Sequence, residues 1–336
     1  MTKVYLIRHA EAEGNIYRRM DGHYNSRITL NGQRQVEALA KRFADVPIDA
    51  VYASDLLRTC QTARALCVPK GLPLRPDSRF REVYFGVIED LNFGWIDRFA
   101  AEQNRLFSKA PEQWHVEGAE TFSEATCRFL DGLRAVAQAH EGQTIAVFSH
   151  GAITAWSMRA LFGAQIPGAA RCDNTGVTLL TWENGAFTPE YFYDNSHLSE
   201  EISTLAHQLW WRGTNSFNLW FRDAGPEDAA MFDPAFPMKA GDVQKVAMRM
   251  DEPVGCLSYA PESGAVSCLY LLPEHRGKRM GDQLLGEIVC PCRAAGREFL
   301  TLSFDPENLA LKALLARHGA TVDGGSAVVP IALPKE

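Results

Sequence analysis

The chain alternates short apolar runs with segments of helical periodicity, and this alternation limits its fold more than any other feature. The runs Val4–Ile7, Ala50–Ala53 and Ile145–Phe148 have the length of buried strands. Between the first two, Thr29 can cap a helix whose apolar residues recur at helical spacing over Val36–Phe43, and Thr121-Phe122-Ser123-Glu124 is a capping box that begins a later helix. Repeated strand–helix units predict a three-layer α/β domain with a mostly parallel sheet and right-handed crossovers.

Polar side chains follow each of the three runs directly. Arg8-His9 comes after the first, Ser54-Asp55 after the second in a segment that continues to Arg58, and Ser149-His150 after the third. Because the carboxyl ends of parallel strands meet at one edge of a sheet, two histidines and two arginines are expected close together there. A guanidinium group can bridge two phosphate oxygens, so this edge is predicted to bind a phosphorylated substrate.

The same residues supply the parts of a phosphoryl-transfer reaction. A neutral imidazole such as His9 can attack phosphorus in line and form a phosphohistidine, which water later hydrolyses. Arg8 and Arg58 would hold the phosphoryl oxygens, together with the Asn15 amide and with His150 if that ring is protonated.

The leaving alkoxide needs a proton, and Glu82 is the candidate acid. Its apolar and aromatic neighbours are expected to favour the protonated carboxyl group. Glu89 and Asp90 are the nearest substitutes for this role. A rival interpretation, in which the histidines and a carboxylate bind a metal, is disfavoured because fixed arginine cations would repel a divalent ion.

Four motifs in this order resemble the histidine phosphatase (phosphoglycerate mutase-like) superfamily over residues 1 to about 195. They are Arg8-His9-Ala10-Glu11 with Asn15, Ser54-Asp55-Leu56-Leu57-Arg58-Thr59 with Gln61-Thr62-Ala63, Glu82 before Phe85-Gly86, and Ser149-His150-Gly151. The resemblance implies His9 as the nucleophile and Glu82 as the proton donor. It implies a phosphate pocket, without a required metal, made by Arg8, Asn15, Arg58, His150 and Gly151.

The length of one segment bears on the phosphoryl acceptor. The resemblance to mutases would imply a longer segment between Glu82 and the region of Gly118, so water is favoured and a phosphomonoesterase of a small phosphorylated metabolite is expected. A phosphoglycerate mutase-type phosphotransferase and a binding protein for phosphorylated ligands are the alternatives.

Length and composition indicate the number of domains, the classes of partner and the cellular location to expect. A chain of 336 residues favours two domains. The net charge of -7 and the lack of a Lys/Arg-rich run disfavour nucleic-acid partners, and the longest apolar stretches fall short of the roughly 20 residues of a membrane span. The chain starts directly with a strand rather than a secretory signal, which predicts a cytoplasmic protein. The eight cysteines lack C-x-x-C spacing and are expected to be reduced, buried thiols.

The pattern changes near residue 195, and we expect one domain over 1–195 and a second over 196–336. In a lead-in over 196–242, Ser199 is expected to cap an amphipathic helix that reaches Leu209 and Trp210, and a Pro/Gly/Asp-rich surface loop follows at 223–242. Three strands are then predicted, and after them a helix, a strand and a helix, at 243–250, 254–259, 265–272, 280–294, 299–304 and 308–317. This order predicts an independent α+β domain.

Residues 240 to about 325 resemble the GNAT acetyltransferases. Leu271-Leu272 and Arg276-Gly277-Lys278-Arg279-Met280-Gly281 look like the acyl-CoA loop of that family, and Asn308 with Leu314–Ala320 looks like its later motif. Backbone N–H groups at a helix start suit a pyrophosphate. The resemblance implies acetyl-CoA as cofactor and a small amine as acceptor.

Two departures from that family pattern leave the role of the second domain open. Arg279 stands at the position of a loop glycine, and Leu315 stands where many members carry the tyrosine that protonates the departing thiolate. A catalytic N-acetyltransferase and a non-catalytic CoA-sensing or interaction module are both compatible with this pattern.

Overall fold

The computed structural model describes residues 1–163, 166, 171–208, 217–230 and 239–334, and the chain forms two compact units. The strands are β1 (Thr2–Arg8), β2 (Ala50–Ala53), β3 (Leu74–Pro76), β4 (Thr144–Ser149), β5 (Val177–Glu183), β6 (Ala186–Asp194), β7 (Trp220–Asp223), β8 (Val243–Arg249), β9 (Glu252–Ala260), β10 (Ala265–Leu271), β11 (Phe299–Ser303), β12 (Thr321–Asp323) and β13 (Ser326–Pro330). The helices are α1 (Glu13–Tyr17), α2 (Leu30–Arg42), α3 (Leu57–Lys70), α4 (Phe93–Phe99), α5 (Ala101–Lys109), α6 (Phe122–Ala139), α7 (Gly151–Phe162), α8 (Thr204–His207), α9 (Met280–Ala294) and α10 (Leu309–Arg317).

The first unit comprises Met1–Ala12, Asp21–Asp90 and Glu102–Gln208 and contains a six-stranded sheet. Its strand order is β3-β2-β4-β1-β5-β6, with the first four strands parallel and β5 and β6 antiparallel to their neighbours. The expected α/β class with a mostly parallel sheet is therefore confirmed. The strands β5 and β6 depart from the repeated strand–helix pattern because a two-residue turn at Asn184-Gly185, with φ of 53° and 80°, joins them directly.

The helices of this unit begin where the sequence places their caps. The Thr29 hydroxyl accepts the Gly32 N–H at the start of α2, and Thr121 with Glu124 forms the predicted capping box of α6. Leu39 and Phe43 of the α2 region pack with Ile7 and Phe148 of the sheet in one buried cluster. Burial of a side chain of this size contributes roughly 1.5–3 kcal/mol, so this packing anchors the central strands.

The second unit comprises Glu13–Met20, Leu91–Ala101 and Leu209–Glu336 and contains a seven-stranded sheet of order β12-β13-β11-β10-β9-β8-β7. The three predicted strands β8, β9 and β10 form an antiparallel meander, and β11 joins β10 in parallel. Helix α9 packs its apolar residues Leu285, Ile288 and Val289 into the buried cluster of this sheet. The succession of strands and helices fits the α+β organisation expected for this part of the chain.

Two segments from the N-terminal half of the chain are built into the second unit. Helix α1 packs on α9, where Tyr17 lies so close to Gly286 that a Cβ on this glycine would be 2.4 Å from the tyrosine ring. The buried Glu13 carboxylate binds Arg293 at 2.9 Å. In the other segment, the Asp97 carboxylate accepts a hydrogen bond from Asn218 at 2.7 Å.

Some predicted elements differ from those observed. Ser203, not Ser199, caps the short helix α8, and Leu209 and Trp210 lie outside the described residues. The strands β3, β6, β7, β12 and β13 were not predicted, because they are short or lie at sheet edges where the apolar signal is weak. No helix in the described ranges has both the length and the apolar character needed to cross a membrane.

Candidate active site

The catalytic candidates of the first unit meet at one edge of its sheet. Strand β1 pairs with β4 so that Arg8 lies opposite Ser149, and β2 pairs with β4 so that Ala53 lies opposite Phe148. Beyond the strands, the His9 N–H donates to the Ser149 carbonyl at 2.9 Å. The side chains that follow these strands therefore emerge next to one another, as the sequence predicts.

His9 is held with one ring nitrogen committed to the backbone. Its Nδ1 lies 2.7 Å from the Ala10 carbonyl oxygen. Because a carbonyl oxygen can only accept, Nδ1 carries the proton and Nε2 carries the lone pair. Burial, then the charges of Arg58 and Arg8, hold the pKa of His9 well below its ordinary value of 6.5. The ring is therefore neutral near pH 7 and has the form that a nucleophile needs.

Arg8 is fixed between the sheet and the start of α7. Its Nη1 donates to the Cys172 carbonyl at 2.8 Å, and a Cβ on Gly151 would lie 3.1 Å from its Nε. The glycine thus leaves room for the guanidinium group. The buried Nε of Arg8 has no hydrogen-bond partner within the described part of the chain, so this donor is left to pair with a ligand.

Arg58 is the largest fully buried side chain in the described residues, at 1% exposure. Its two terminal nitrogens donate to the carbonyl oxygens of Gly22, at 2.7 Å, and of Tyr24, at 2.9 Å. Burial lowers the pKa of this guanidinium group, and the charges of nearby carboxylates raise it. Since arginine stays protonated in proteins, a full positive charge lies in the buried part of the site.

His150 faces His9, with ring centroids 5.3 Å apart, and is fully buried. Burial first, and then the charge of Arg58, hold its pKa well below 6.5. The protonated form considered from the sequence is therefore not the favoured one here, because burial and the charge of Arg58 both oppose a positive charge on this ring. Nε2 of His150 lies 2.9 Å from the Ser54 hydroxyl. Its buried Nδ1 has no partner among the described residues, and this orphaned atom suits an anion oxygen.

The side chain of Glu82 lies against the start of α7, in an environment that differs from the expected one. Its carboxylate accepts the backbone N–H groups of Ile153 at 2.7 Å, Ala152 at 3.0 Å and Val83 at 3.0 Å. The expectation of a mainly apolar environment is wrong, because the chain brings a helix N-terminus 70 residues away onto this side chain. It is nevertheless buried and exerts a charge on Arg58, so it belongs to the same cluster.

Three other candidates from the sequence are Asn15, Glu89 and Asp90. Asn15 lies in α1, which belongs to the second unit, and its role in phosphate binding stays a prediction. Glu89 accepts the N–H groups of His23 and Phe85. Asp90 has a left-handed backbone with φ of 57°.

Sequence reasoning missed residues that hold His9 in place. Asn174 Nδ2 donates to the His9 carbonyl at 3.0 Å, and the Thr175 N–H donates to the same oxygen at 3.2 Å. Their signal is weak, because a buried Asn-Thr pair before a strand also fits an ordinary turn. His23 was missed too, and its Nε2 donates to the Glu82 carbonyl at 2.8 Å.

The residues of the predicted acyl-CoA loop lie together in the second unit. Leu271 ends β10, the turn Pro273–His275 follows Leu272, and Gly277 has φ of 74°. Arg279 caps α9 with φ of 59°, so it takes the left-handed conformation that a glycine would allow, and Met280 and Gly281 form the first turn. The substitution of the usual glycine has therefore not prevented this loop shape.

Other residues of that loop and motif are bound within their own segments. Arg276 donates from Nε to the Leu271 carbonyl at 2.8 Å, and Lys278 donates to the Glu274 carbonyl at 2.7 Å. Asn308 caps α10 by accepting the Leu311 N–H at 3.0 Å. Leu315 is fully buried in the core and offers no proton donor.

The first-unit cluster can bind and polarise a tetrahedral oxyanion. Two guanidinium groups and a neutral imidazole offer donors to the oxygens, while a second neutral imidazole offers a lone pair. Within the described ranges, no group of three or more His, Cys, Asp or Glu side chains is placed to hold a metal ion.

Comparison with known proteins gives matches in both parts of the chain. The family model of the GNAT acetyltransferases matches residues 207–320. The "Probable phosphoglycerate mutase GpmB" of Serratia proteamaculans is 30% identical over 151 residues, which are 45% of this chain and 70% of that protein. The solved structure of Bacillus stearothermophilus YhfR is 27% identical with a TM-score of 0.56, over 59% of this chain and 100% of its own.

Another solved structure shares the fold at lower identity. The mycobacterial glucosyl-3-phosphoglycerate phosphatase is 20% identical with a TM-score of 0.53, over 57% of this chain and 99% of its own. The family model of the histidine phosphatase superfamily (branch 1) matches residues 4–195, which is more than half of the chain. The chain therefore belongs to the histidine phosphatase superfamily.

Proposed function

We propose that the protein is a phosphomonoesterase that hydrolyses a small phosphorylated metabolite through a phosphohistidine on His9. The observation that carries this proposal is the ring of His9, whose Nδ1 is bound to the Ala10 carbonyl so that Nε2 keeps its lone pair. The charges of Arg58 and Arg8 both act on this ring, which lies 5.3 Å from the ring of His150. A neutral nucleophile surrounded by fixed cations is suited to a phosphate dianion.

The proposed reaction has two steps. Nε2 of His9 attacks phosphorus, the bond from phosphorus to the ester oxygen breaks, and the Glu82 carboxyl gives its proton to the leaving oxygen. Water then attacks the phosphohistidine, the bond from phosphorus to Nε2 breaks, and the Glu82 carboxylate takes the proton. Arg8 and Arg58 hold the phosphoryl oxygens throughout, with His150 as a neutral donor from Nδ1 when Ser54 donates to Nε2.

Trapping of the intermediate tests this proposal. The protein is mixed with an aryl phosphate and quenched, and a phosphoryl group on His9 is sought by mass spectrometry. His9→Ala is expected to abolish both labelling and turnover, whereas the control His115→Ala, at an exposed position, leaves both unchanged. Turnover that survives His9→Ala would refute the proposal. Transfer of the phosphoryl group to a second hydroxyl of a diol substrate, rather than to water, would favour a mutase.

For the second unit, we propose binding of acetyl-CoA by the loop at the start of α9. Arg279, in the left-handed conformation, leads into a 15-residue helix. Among the described strands, β10 pairs with β11 only as far as Val266 and then continues to Leu271, at the start of this loop. When bound, the cofactor would supply an acetyl group for a small amine. Leu315 supplies no acid for that reaction, which favours the alternative of a CoA-sensing module. Calorimetry with acetyl-CoA, followed by a screen of amine acceptors, separates transfer from binding alone.

A further inference from the structure

The proposed reaction makes no use of Glu89, although its carboxylate lies against the loop that holds Arg58. One oxygen of Glu89 accepts the His23 N–H at 3.0 Å, and the other accepts the Phe85 N–H at 3.2 Å. The contact with this loop is close. Gly22 has φ of 51°, and a Cβ there would lie 2.5 Å from Oε2 of Glu89. The carboxylate thus joins the segment 85–89 to the loop 22–24.

The same loop fixes the guanidinium group of Arg58. The carbonyl of Gly22 accepts from Nη2 and the carbonyl of Tyr24 accepts from Nη1, so both terminal nitrogens are bound on one side. Two bonds from a planar group define its plane, and the remaining N–H groups are directed by that plane. A shift of the loop would therefore turn the arginine donors.

The charge of Glu89 acts in the same direction as its hydrogen bonds. Arg58 is buried, and the carboxylates that attract it are those of Asp21, Glu82 and Glu89. Glu82 is bound to the start of α7, and Asp21 accepts the Ser26 hydroxyl at 2.6 Å. The Glu89 carboxylate accepts a backbone N–H of the loop 22–24 itself, that of His23.

We infer that Glu89 is a positioning residue for phosphate binding, which holds the loop 22–24 so that Arg58 presents its donors to the phosphoryl oxygens. The inference rests on the proposed phosphatase function. It assigns to Glu89 a part different from that of a substitute acid, because its carboxylate is bound to backbone N–H groups and acts through Arg58.

Glu89→Gln is the first test, because glutamine keeps the size but replaces one acceptor with an N–H donor. The value of kcat/KM for an aryl phosphate is expected to fall about 10–100-fold, and the inhibition constant of orthophosphate to rise by a similar factor. Glu112→Gln, which removes the charge from an exposed pair with Arg159, is the matched control and is expected to change neither.

A double-mutant cycle identifies the route of the effect. Lysine at position 58 lacks the planar fork whose two nitrogens bind the two loop carbonyls, so Glu89→Gln is expected to cost less than about 3-fold when Arg58→Lys is already present. Equal losses in both backgrounds would overturn the inference, since Glu89 would then act independently of Arg58. An unchanged orthophosphate constant in the single variant would overturn it too.

The experiment also covers a variant that does not fold and a parent protein that is inactive. If Glu89→Gln does not fold, Gly22→Ala is the second variant, because its new Cβ would displace the Glu89 carboxylate without removing the charge. The same loss of orthophosphate affinity is expected. Normal orthophosphate affinity in Gly22→Ala would overturn the inference. If the parent protein neither hydrolyses the aryl phosphate nor binds orthophosphate, both the proposed function and this inference fail. If the parent is active and Glu89→Gln matches it, only the inference fails.

Discussion

Replacement of Glu82 by glutamine separates two roles that the structure gives to one carboxylate. The Glu82 side chain accepts three backbone N–H groups, two of them from the first turn of α7. Glutamine has one acceptor oxygen, so at least one buried N–H loses its partner, at a cost of about 1–3 kcal/mol. Loss of the negative charge at the helix start adds about 0.3–1 kcal/mol. The variant is therefore expected to be destabilised by about 1–4 kcal/mol.

The chemical role predicts an effect that depends on the leaving group. A general acid contributes about 10²–10⁴-fold when the leaving alkoxide is strongly basic, so Glu82→Gln should lose about this factor in kcat/KM on an alkyl phosphate. An aryl phosphate leaves as a stable phenolate and needs little protonation, so the loss there should stay below about 10-fold. Both rates are measured on one preparation, with urea unfolding beside them.

The control for this experiment is another carboxylate at a helix start. Glu124 accepts the Thr121 N–H at 2.8 Å in the capping box of α6, far from the reacting groups in sequence. Glu124→Gln should lower stability without any dependence of the rate on the leaving group. If Glu82→Gln slows both substrates by the same factor, the acid role is refuted and Glu82 only caps α7.

Three other predictions follow from single features. Gly286→Ala should lower the unfolding free energy by about 1–3 kcal/mol, because the new Cβ meets the Tyr17 ring, and an unchanged urea midpoint would contradict that packing. Burial holds the pKa values of His9 and His150 well below 6.5, so the unfolded chain binds more protons below that pH. Stability should then decrease by up to about 1.4 kcal/mol per pH unit per histidine as the pH falls from about 6.5 towards the folded pKa, and a pH-independent unfolding free energy would count against neutral rings. Arg279→Gly should raise the thermal midpoint of the second unit, because left-handed backbone costs a non-glycine residue about 1–2 kcal/mol; a lower midpoint would show that its side chain stabilises the loop.

The sequence predicts those parts of the fold that depend on local pattern. The apolar runs that became β1, β2 and β4 are buried on both faces, and such strands carry a strong signal. The helix starts at Thr29 and Thr121 were predicted because a cap involves only residues three positions apart. The convergence of Arg8, His9 and His150 follows from the parallel pairing of these strands.

The strands that were missed include one with a recognisable signal. Asn184-Gly185 is a typical two-residue hairpin turn, and it joins β5 to β6. The short strands β12 and β13 flank Gly324-Gly325 and were not predicted. In both cases the strands lie towards a sheet edge, where partial exposure weakens the alternation of apolar and polar residues.

The surroundings of individual site residues could not be predicted, because they depend on contacts between distant parts of the chain. The carbonyls of Gly22 and Tyr24 meet Arg58 across more than 30 positions, and α7 meets Glu82 across 70. A local pattern shows which residue types follow the end of a strand, but it does not show which distant loop contacts them. The chemistry of each group was therefore easier to predict than its hydrogen bonds.

Helix α1 and residues 91–101 belong to the second unit, and this affects which truncated forms of the protein can be used in experiments. A truncated protein that stops near residue 195 would keep Glu13 without its counter-ion Arg293, Asp97 without Asn218, and the Tyr17 ring stripped of its glycine. A buried carboxylate without its cation and an uncovered aromatic side chain both favour misfolding and self-association. Shortened versions of this chain are thus poor substitutes for the intact polypeptide, and an inactive fragment would say little about the chemistry of the whole.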